Sequence, residues 1–244
     1  MPIDYDEFAH TYDKHRTADT LHLGPILAQA RRSNAERALE LGAGTGMNTA
    51  LLHDEYPCRI TAVDCSEGML LKARAAAVPA LLTRADATEL PFASGAFDFV
   101  YGTYMLHYIQ DLDAMCAESW RVLERGCLAA LTVPERWIRN HPMAAYFPSF
   151  PAIDLKRFQP VSEVERAFRA AGFLDVTHRV CTGPPQVIDT GYVKRVADKF
   201  VSTFALLPPG EFEAGLARLK QDVQAVGHLP EPFRRQTATI WGYK

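Results

Sequence analysis

Glu40-Leu41-Gly42-Ala43-Gly44-Thr45-Gly46 is a glycine-rich turn, and the residues on either side of it decide the fold. Arg37-Ala38-Leu39 before it ends apolar and reads as a short strand; Met47-Asn48-Thr49-Ala50-Leu51-Leu52 after it reads as the first turns of a helix. A strand, a glycine turn and a helix start make a nucleotide-binding βα unit, in which glycine permits a tight turn and close approach of a ligand. The helix N-terminus adds backbone donors for polar ligand groups. The dinucleotide fingerprint G-x-G-x-x-G would place its third glycine at position 47, which is Met47. The spacing here is G-x-G-x-G, with the acidic Glu40 two residues before the first glycine.

The next apolar run, Arg59-Ile60-Thr61-Ala62-Val63, is β-branched and suits a buried parallel strand. It ends on Asp64, 22 residues after Gly42. A carboxylate at that distance hydrogen-bonds ribose hydroxyls in adenosine-binding α/β folds. The alternative use of Asp64 is to cap the helix that starts near Ser66. Further strands are predicted around 80–84, at 97–102 and at 128–133, with helices between them. An amphipathic helix over 21–32 precedes the first strand, and Leu112, Met115, Cys116, Ser119, Trp120 and Leu123 form the inward face of a later one. Strands alternating with helices imply a parallel sheet with right-handed crossovers.

Five further segments follow the glycine turn in order. They are Cys65-Ser66-Glu67-Gly68-Met69-Leu70, Ala85-Asp86-Ala87-Thr88-Glu89-Leu90-Pro91-Phe92, Phe97-Asp98-Phe99-Val100, Tyr104-Met105-Leu106-His107-Tyr108 and Arg121-Val122-Leu123-Glu124-Arg125-Gly126-Cys127. With E-x-G-x-G and the later Asp64, this series resembles the class I S-adenosylmethionine-dependent methyltransferases, small-molecule type, over about residues 5–135. The last segment departs from the family's R-V-L-K-P-G-G turn. The resemblance implies a Rossmann-like, seven-stranded, mostly parallel sheet with helices on both faces and an antiparallel last strand inserted between strands 5 and 6. Lid segments at the N-terminus and after strand 5 complete that fold. It implies one methyltransferase domain over 1–244, with a lid and helix at 1–33, a cofactor-binding half at 34–133 and a substrate-side half at 134–244.

The same resemblance implies S-adenosylmethionine as cofactor, held by Tyr12, Arg16, Glu40, Gly42, Ala43, Gly44, Asp64, Cys65, Met69, Asp86, Ala87 and Gly102. Tyr12-Asp13-x-x-Arg16 looks like the Y-D-x-x-R element that folds over the cofactor. Tyr12 would then approach the sulfonium, in a catalytic place, and Arg16 would pair with the methionyl carboxylate. Glu40 has two readings, receiving the cofactor's ammonium or orienting the glycine turn by accepting its amides. Methyl transfer from a sulfonium is an in-line displacement that needs alignment and exclusion of water, and a base only when the nucleophile carries a proton. His107, just beyond strand 4, is the candidate base, because an imidazole titrates near pH 6.5. Thr103, Tyr104, His107, Tyr108, Tyr146 and Phe147 are the candidate acceptor contacts.

Composition bounds the partners. A net charge of −3 with no basic run argues against a nucleic-acid face. No apolar run reaches membrane-spanning length and no signal-type segment opens the chain, so a cytoplasmic protein without a membrane partner is expected. Cys58, Cys65, Cys116, Cys127 and Cys181 form no C-x-x-C pair and no ligand-spaced cluster is visible, so no metal is expected. The partner is a small-molecule methyl acceptor, with monomer and homodimer both open. Two other functions remain: a domain that binds the cofactor without turnover, and a nicotinamide oxidoreductase on the same topology.

After Pro134 the pattern loosens, with five prolines between 134 and 160. Ser162 with Glu165 reads as a capping box and Gly172 as the helix's C-terminal glycine. Strands are predicted over 173–180 and 237–243, and helices over 190–206 and 211–226. The stripe Tyr192, Val196, Phe200, Phe204 reads as core or interface.

Overall fold

A computed structural model describes residues 13–15 and 20–244. The strands are β1 (Arg37–Leu41), β2 (Arg59–Asp64), β3 (Leu81–Arg84), β4 (Phe97–Thr103), β5 (Leu123–Thr132), β6 (Leu174–Gln186) and β7 (Phe233–Tyr243). They form one sheet in the order β3-β2-β1-β4-β5-β7-β6. β1 to β5 pair in parallel, while β7 runs antiparallel between β5 and β6.

Residues of β1 alternate between two apolar layers, as a strand's period of two requires. Leu39 and Leu41 join Val100, Leu128, Met115, Cys116 and Phe168 on one face; Ala38 joins Phe99, Tyr101, Leu131, Leu23, Ile26 and Leu52 on the other. The first layer is covered by α4 (Leu112–Val122) and α7 (Val161–Ala170), the second by α1 (Thr20–Arg32) and α2 (Met47–Glu55). A sheet covered on both faces is the arrangement parallel strands need. A third cluster, including Met143, Phe147, Phe204, Leu219 and Val223, joins the segments after β5, where α5 (Glu135–Arg139) and α6 (Phe150–Arg157) lie, to α8 (Thr190–Ala197) and α9 (Glu211–Val226). It builds the roof over the site.

The chain's departure from the family turn at Glu124-Arg125-Gly126-Cys127 keeps the position that matters. Gly126 has φ +103, and a Cβ there would lie 2.0 Å from the Asp98 carbonyl oxygen. Asp98 itself accepts from the Glu36 and Arg37 amides, each at 3.0 Å, and so fixes the start of β1. Glu124 accepts from Arg37 Nη2 at 2.6 Å.

Several boundaries differ from the sequence reading. The helix expected over 190–206 stops at Ala197, and a 3-10 turn resumes at Ser202–Leu206. Lys199 between them has φ +51, which a helix cannot contain. The capping box at Ser162 does not form: α7 begins at Val161 with Pro160 as its N-cap, because proline's fixed φ suits a helix start. Gly172 does end that helix. It has φ +105, its amide bonds to the Arg169 carbonyl, and the next amide, Phe173, reaches back to Phe168. β5 starts at Leu123, five residues before expectation, directly from the end of α4. β6 and β7 are each longer than expected, since they pair with one another beyond the sheet.

Candidate active site

The glycine turn bends through three left-handed residues, and two of them show what glycine is for. Gly42 has φ +68, and a Cβ there would lie 2.7 Å from Met105 Cβ. Gly44 has φ +56, yet among the described residues nothing lies within 4 Å of where its Cβ would stand. The first glycine lets the backbone pass Met105; the second leaves open space in front of the turn, where a ligand can approach the backbone.

Asp64, at the carboxyl end of β2, clamps this turn. Its Oδ2 accepts from the Gly44 amide at 2.8 Å and its Oδ1 from the Ser66 amide at 2.9 Å. Capping of α3 (Glu67–Ala75) belongs to Ser66, whose Oγ accepts from Met69 N at 3.1 Å. The capping role that the sequence left open for Asp64 therefore falls two residues on, to Ser66. Thr45 Oγ1 donates to Asp13 at 2.7 Å, tying the short 13–15 turn to the glycine loop. His15 and Lys14 meet Asp198 at 2.6 and 2.9 Å, so that turn bridges the glycine loop and the end of α8.

Glu40 is fully buried. Its Oε2 accepts from Thr49 Oγ1 at 2.5 Å and from Tyr101 OH at 2.8 Å, while Oε1 is buried with no partner among the described residues. The reading that Glu40 orients the glycine turn through its amides is not what forms: hydroxyls from α2 and β4 are its donors. Burial pushes its carboxyl up to about 7, against the pull of those two hydroxyls.

Beyond β3, Asp86 Oδ1 accepts from the Thr88 amide at 2.8 Å and its hydroxyl at 2.7 Å, folding a local turn. Glu118 and Arg121 of α4 hold the rest of that segment. Glu118 accepts from Leu90 N at 2.7 Å, and Arg121 donates to the carbonyls of Phe92 and Leu90 at 2.6 and 2.9 Å. Met69 and Ala87 are buried nearby, and Cys65 is exposed, with its thiol pushed up by burial of the sulfur and by the Asp64 charge. Gly102 packs under the site, where a Cβ would meet Met105 Cγ at 3.0 Å and the Leu41 carbonyl at 3.2 Å.

Beside the glycine turn opens a cavity of about 420 Å³, within the usual range for small-molecule sites. Gly42, Ala43, Gly44, Thr103, Tyr104, His107 and Tyr108 all line it, so seven of the sequence-predicted residues meet there. His107 stacks on Phe158, centroids 4.1 Å apart, and tilts against Tyr108 at 3.8 Å. Asn48 donates to Thr103 Oγ1 at 2.8 Å, fastening α2 to the end of β4. Asp64, Cys65, Met69, Asp86 and Ala87 lie outside this cavity, and Asp64 reaches its rim through Gly44.

Tyr146 and Phe147 do not line the cavity, which corrects the sequence reading. The 3-10 turn Pro142–Ala145 aims them at α9: Phe147 is fully buried against Phe204 and Phe212, and the Tyr146 hydroxyl donates to Asp222 at 2.9 Å. Phe150 takes the place expected of them. Within the 192–204 stripe, Tyr192 and Phe200 face the cavity whereas Val196 and Phe204 are core. Tyr12 and Arg16 lie outside the described residues.

Sequence reasoning missed Trp137, His141, Asp154, Arg195 and Arg235, all of which line the cavity. Asp154 accepts from Thr203 Oγ1 at 2.8 Å and lies 3.4 Å from Arg157; burial pushes its carboxyl up to about 6. Burial and the nearby Arg235 charge push His141 down to about 4, so it is neutral at pH 7, and its Nδ1 accepts from Met143 N at 3.2 Å. They stand on separate elements, Trp137 and Asp154 on helices after β5, Arg195 on α8 and Arg235 on β7, and no local pattern announces that these meet.

Comparison with known proteins decides what this arrangement belongs to. A family model for a methyltransferase domain matches residues 39–131, from β1 through β5. The chain is 30% identical over 177 residues to a ubiquinone/menaquinone biosynthesis C-methyltransferase of Desulfotalea psychrophila, covering 63% of this chain and 72% of that protein. The chain belongs to the class I S-adenosylmethionine-dependent methyltransferases. This methyltransferase is also 33% identical over 150 residues to a malonyl-[acyl-carrier protein] O-methyltransferase of Geobacter sulfurreducens, 57% of this chain and 56% of the relative. A crystal structure from Anabaena variabilis, ascribed to a methyltransferase of an antibiotic biosynthesis pathway, shares the fold. Its TM-score is 0.72 at 20% identity, over 93% of this chain and 98% of that one.

The residues present fit the methyltransferase's cofactor. The open space before Gly44 admits a ligand to the backbone, and the buried Glu40 Oε1 is an acceptor for which the described residues supply no donor. An ammonium reaching that atom would supply the missing donor, since a buried carboxylate oxygen without a partner is costly. Among the described residues no group of three or more His, Cys, Asp or Glu could hold a metal ion, and no helix is long and apolar enough to cross a membrane.

Proposed function

We propose that the enzyme methylates a small-molecule acceptor seated in the 420 Å³ cavity, and that catalysis is mainly alignment and exclusion of water. The observation that carries this reading is the shared wall: the glycine turn that opens toward a ligand is itself one side of an aromatic cavity. Bound S-adenosylmethionine supplies a methyl group already activated by the sulfonium. Gly42, Ala43 and Gly44 give it backbone contacts, Asp64 its ribose partner, and Glu40 an acceptor for its ammonium. Cys65, Met69, Asp86, Ala87 and Gly102 complete the adenosyl side.

Thr103, Tyr104 and Tyr108 orient the acceptor. His107, packed between Phe158 and Tyr108, takes a proton at an imidazole nitrogen when the nucleophile carries one. Asp154 is already engaged by Thr203 and Arg157, which makes it a scaffold for that wall rather than the proton acceptor.

A thermal-shift comparison of S-adenosylhomocysteine with NAD and NADP tests the reading. At about 100 times its dissociation constant, S-adenosylhomocysteine should add about 2.7 kcal/mol. For a chain of this length that raises Tm by about 5–10 °C. A shift with NAD or NADP and none with S-adenosylhomocysteine would sink the proposal.

A further inference from the structure

The cavity carries positive charge that the described residues do not neutralise. Arg195 and Arg235 both line it, and neither forms an ion pair among the described residues. Arg157, at the same wall, behaves differently and lies 3.4 Å from the Asp154 carboxylate. Arg195 Nε is buried with no hydrogen-bond partner among the described residues, and its guanidinium sits 5.0 Å from the Tyr192 ring centroid and 5.8 Å from that of Phe200. The Arg235 guanidinium lies 5.0 Å from the Tyr104 centroid.

Aromatic faces hold these two cations in place without satisfying their donors. Both act on one spot, because burial raises the Tyr192 phenol while each guanidinium pulls it the other way. Two partly desolvated guanidiniums with unfilled donors make a site for an oxyanion, since Arg matches carboxylate and phosphate geometry.

Which anion fills it follows from the sheet order. The glycine turn leaves β1, whereas Arg235 stands on β7, with β4 and β5 between them. At about 4.8 Å per strand spacing, the two strands are about 14 Å apart. The cofactor's turn therefore lies on one side of the cavity and the arginines on the other, where the acceptor sits. The walls between them are flat rings: Phe233 packs between Trp137 and Tyr192, with centroids 5.9 and 5.6 Å apart.

We infer that the methyl acceptor carries an anionic oxygen group, carboxylate or phosphate, on a flat apolar body, and that Arg195 and Arg235 receive that group. This rests on the methyl-transfer reading above. The test is calorimetric titration of the S-adenosylhomocysteine-saturated protein with three aromatic probes: trans-cinnamate, its neutral amide trans-cinnamamide, and phenyl phosphate. At least one anion should bind at least about tenfold more tightly than the amide, and the better anion identifies carboxylate or phosphate as the preferred group. Arg195→Gln and Arg235→Gln should each erase most of that preference, with S-adenosylhomocysteine affinity within twofold of wild type, and Arg195→Lys should retain part of it.

Equal binding of acid and amide by the wild-type protein, or binding of neither anion, overturns the inference; so does a pair of Gln variants that weaken S-adenosylhomocysteine and leave the preference intact. Failure of the wild-type protein to bind S-adenosylhomocysteine at all removes the methyl-transfer reading and this one with it. Binding of that ligand without any anion preference removes this one alone.

Discussion

Asp64→Ala is expected to weaken S-adenosylhomocysteine binding by about a hundredfold or more, measured by titration calorimetry. The Asp64 carboxylate accepts two backbone bonds, from Gly44 at 2.8 Å and Ser66 at 2.9 Å. Bonds to a charged acceptor contribute about 1.5–3 kcal/mol each. Losing both loosens the turn that presents Gly44, and in the proposed complex the ribose loses its partner as well. A combined loss of about 3 kcal/mol corresponds to somewhat over a hundredfold in Kd. Asp64→Asn should fall between the two proteins, because its single carbonyl oxygen can serve one amide while its NH2 faces the other. A loss below threefold for the alanine variant would show that the carboxylate is a local brace and nothing more.

The half of the fold around this residue was legible because its determinants are local. The left-handed turn at Gly42 and Gly44, the strand ending on Asp64 and the helix capped by Ser66 each sit within a few residues of the signal that announces them. The antiparallel insertion of β7 between β5 and β6 also came from the resemblance, and the sheet has it. The cavity's far wall was harder. Arg235 reaches the Tyr104 ring across 131 positions of sequence, and Arg195 owes its place to a helix that ends at Ala197 because Lys199 turns left-handed.

Tyr146 and Phe147 show the opposite error. Aromatics after strand 5 suggested a pocket wall, but aromatic character does not say which way a 3-10 turn will aim the ring, and Phe147 went into the core. Glu40 was found by its motif, yet its hydroxyl donors, Thr49 nine residues on and Tyr101 on the adjacent strand, come from tertiary packing.

That buried carboxylate gives the second large effect. The Glu40 pKa stands near 7 in the folded protein, raised from an ordinary value of 4.5 chiefly by burial. A raised carboxyl pKa means the folded state favours the proton. Below about pH 4.5 the residue is protonated in folded and unfolded chains alike and carries no penalty. As pH rises through 4.5 to 7 the unfolded chain ionises freely while the folded one resists, so stability is lost across that window, by about 3 kcal/mol in all. Because Thr49 and Tyr101 both donate to Oε2, the proton resides on Oε1, the oxygen with no other partner.

Glu40→Gln keeps an acceptor for the two hydroxyls and cannot ionise. Urea unfolding of both proteins from pH 4.5 to 8 should therefore show the variant gaining about 3 kcal/mol relative to wild type as pH rises. Parallel stability profiles would mean that Glu40 is ionised throughout. Under the proposed assignment the cofactor's ammonium displaces the Oε1 proton. S-adenosylhomocysteine affinity of the wild-type protein should then climb with pH and level off near 7, whereas that of Glu40→Gln should be weaker and flat over the same range. The two readouts separate the roles: a variant that loses the stability slope but binds the ligand with an unchanged pH profile would leave Glu40 as a buried structural acid and move the ammonium's partner elsewhere.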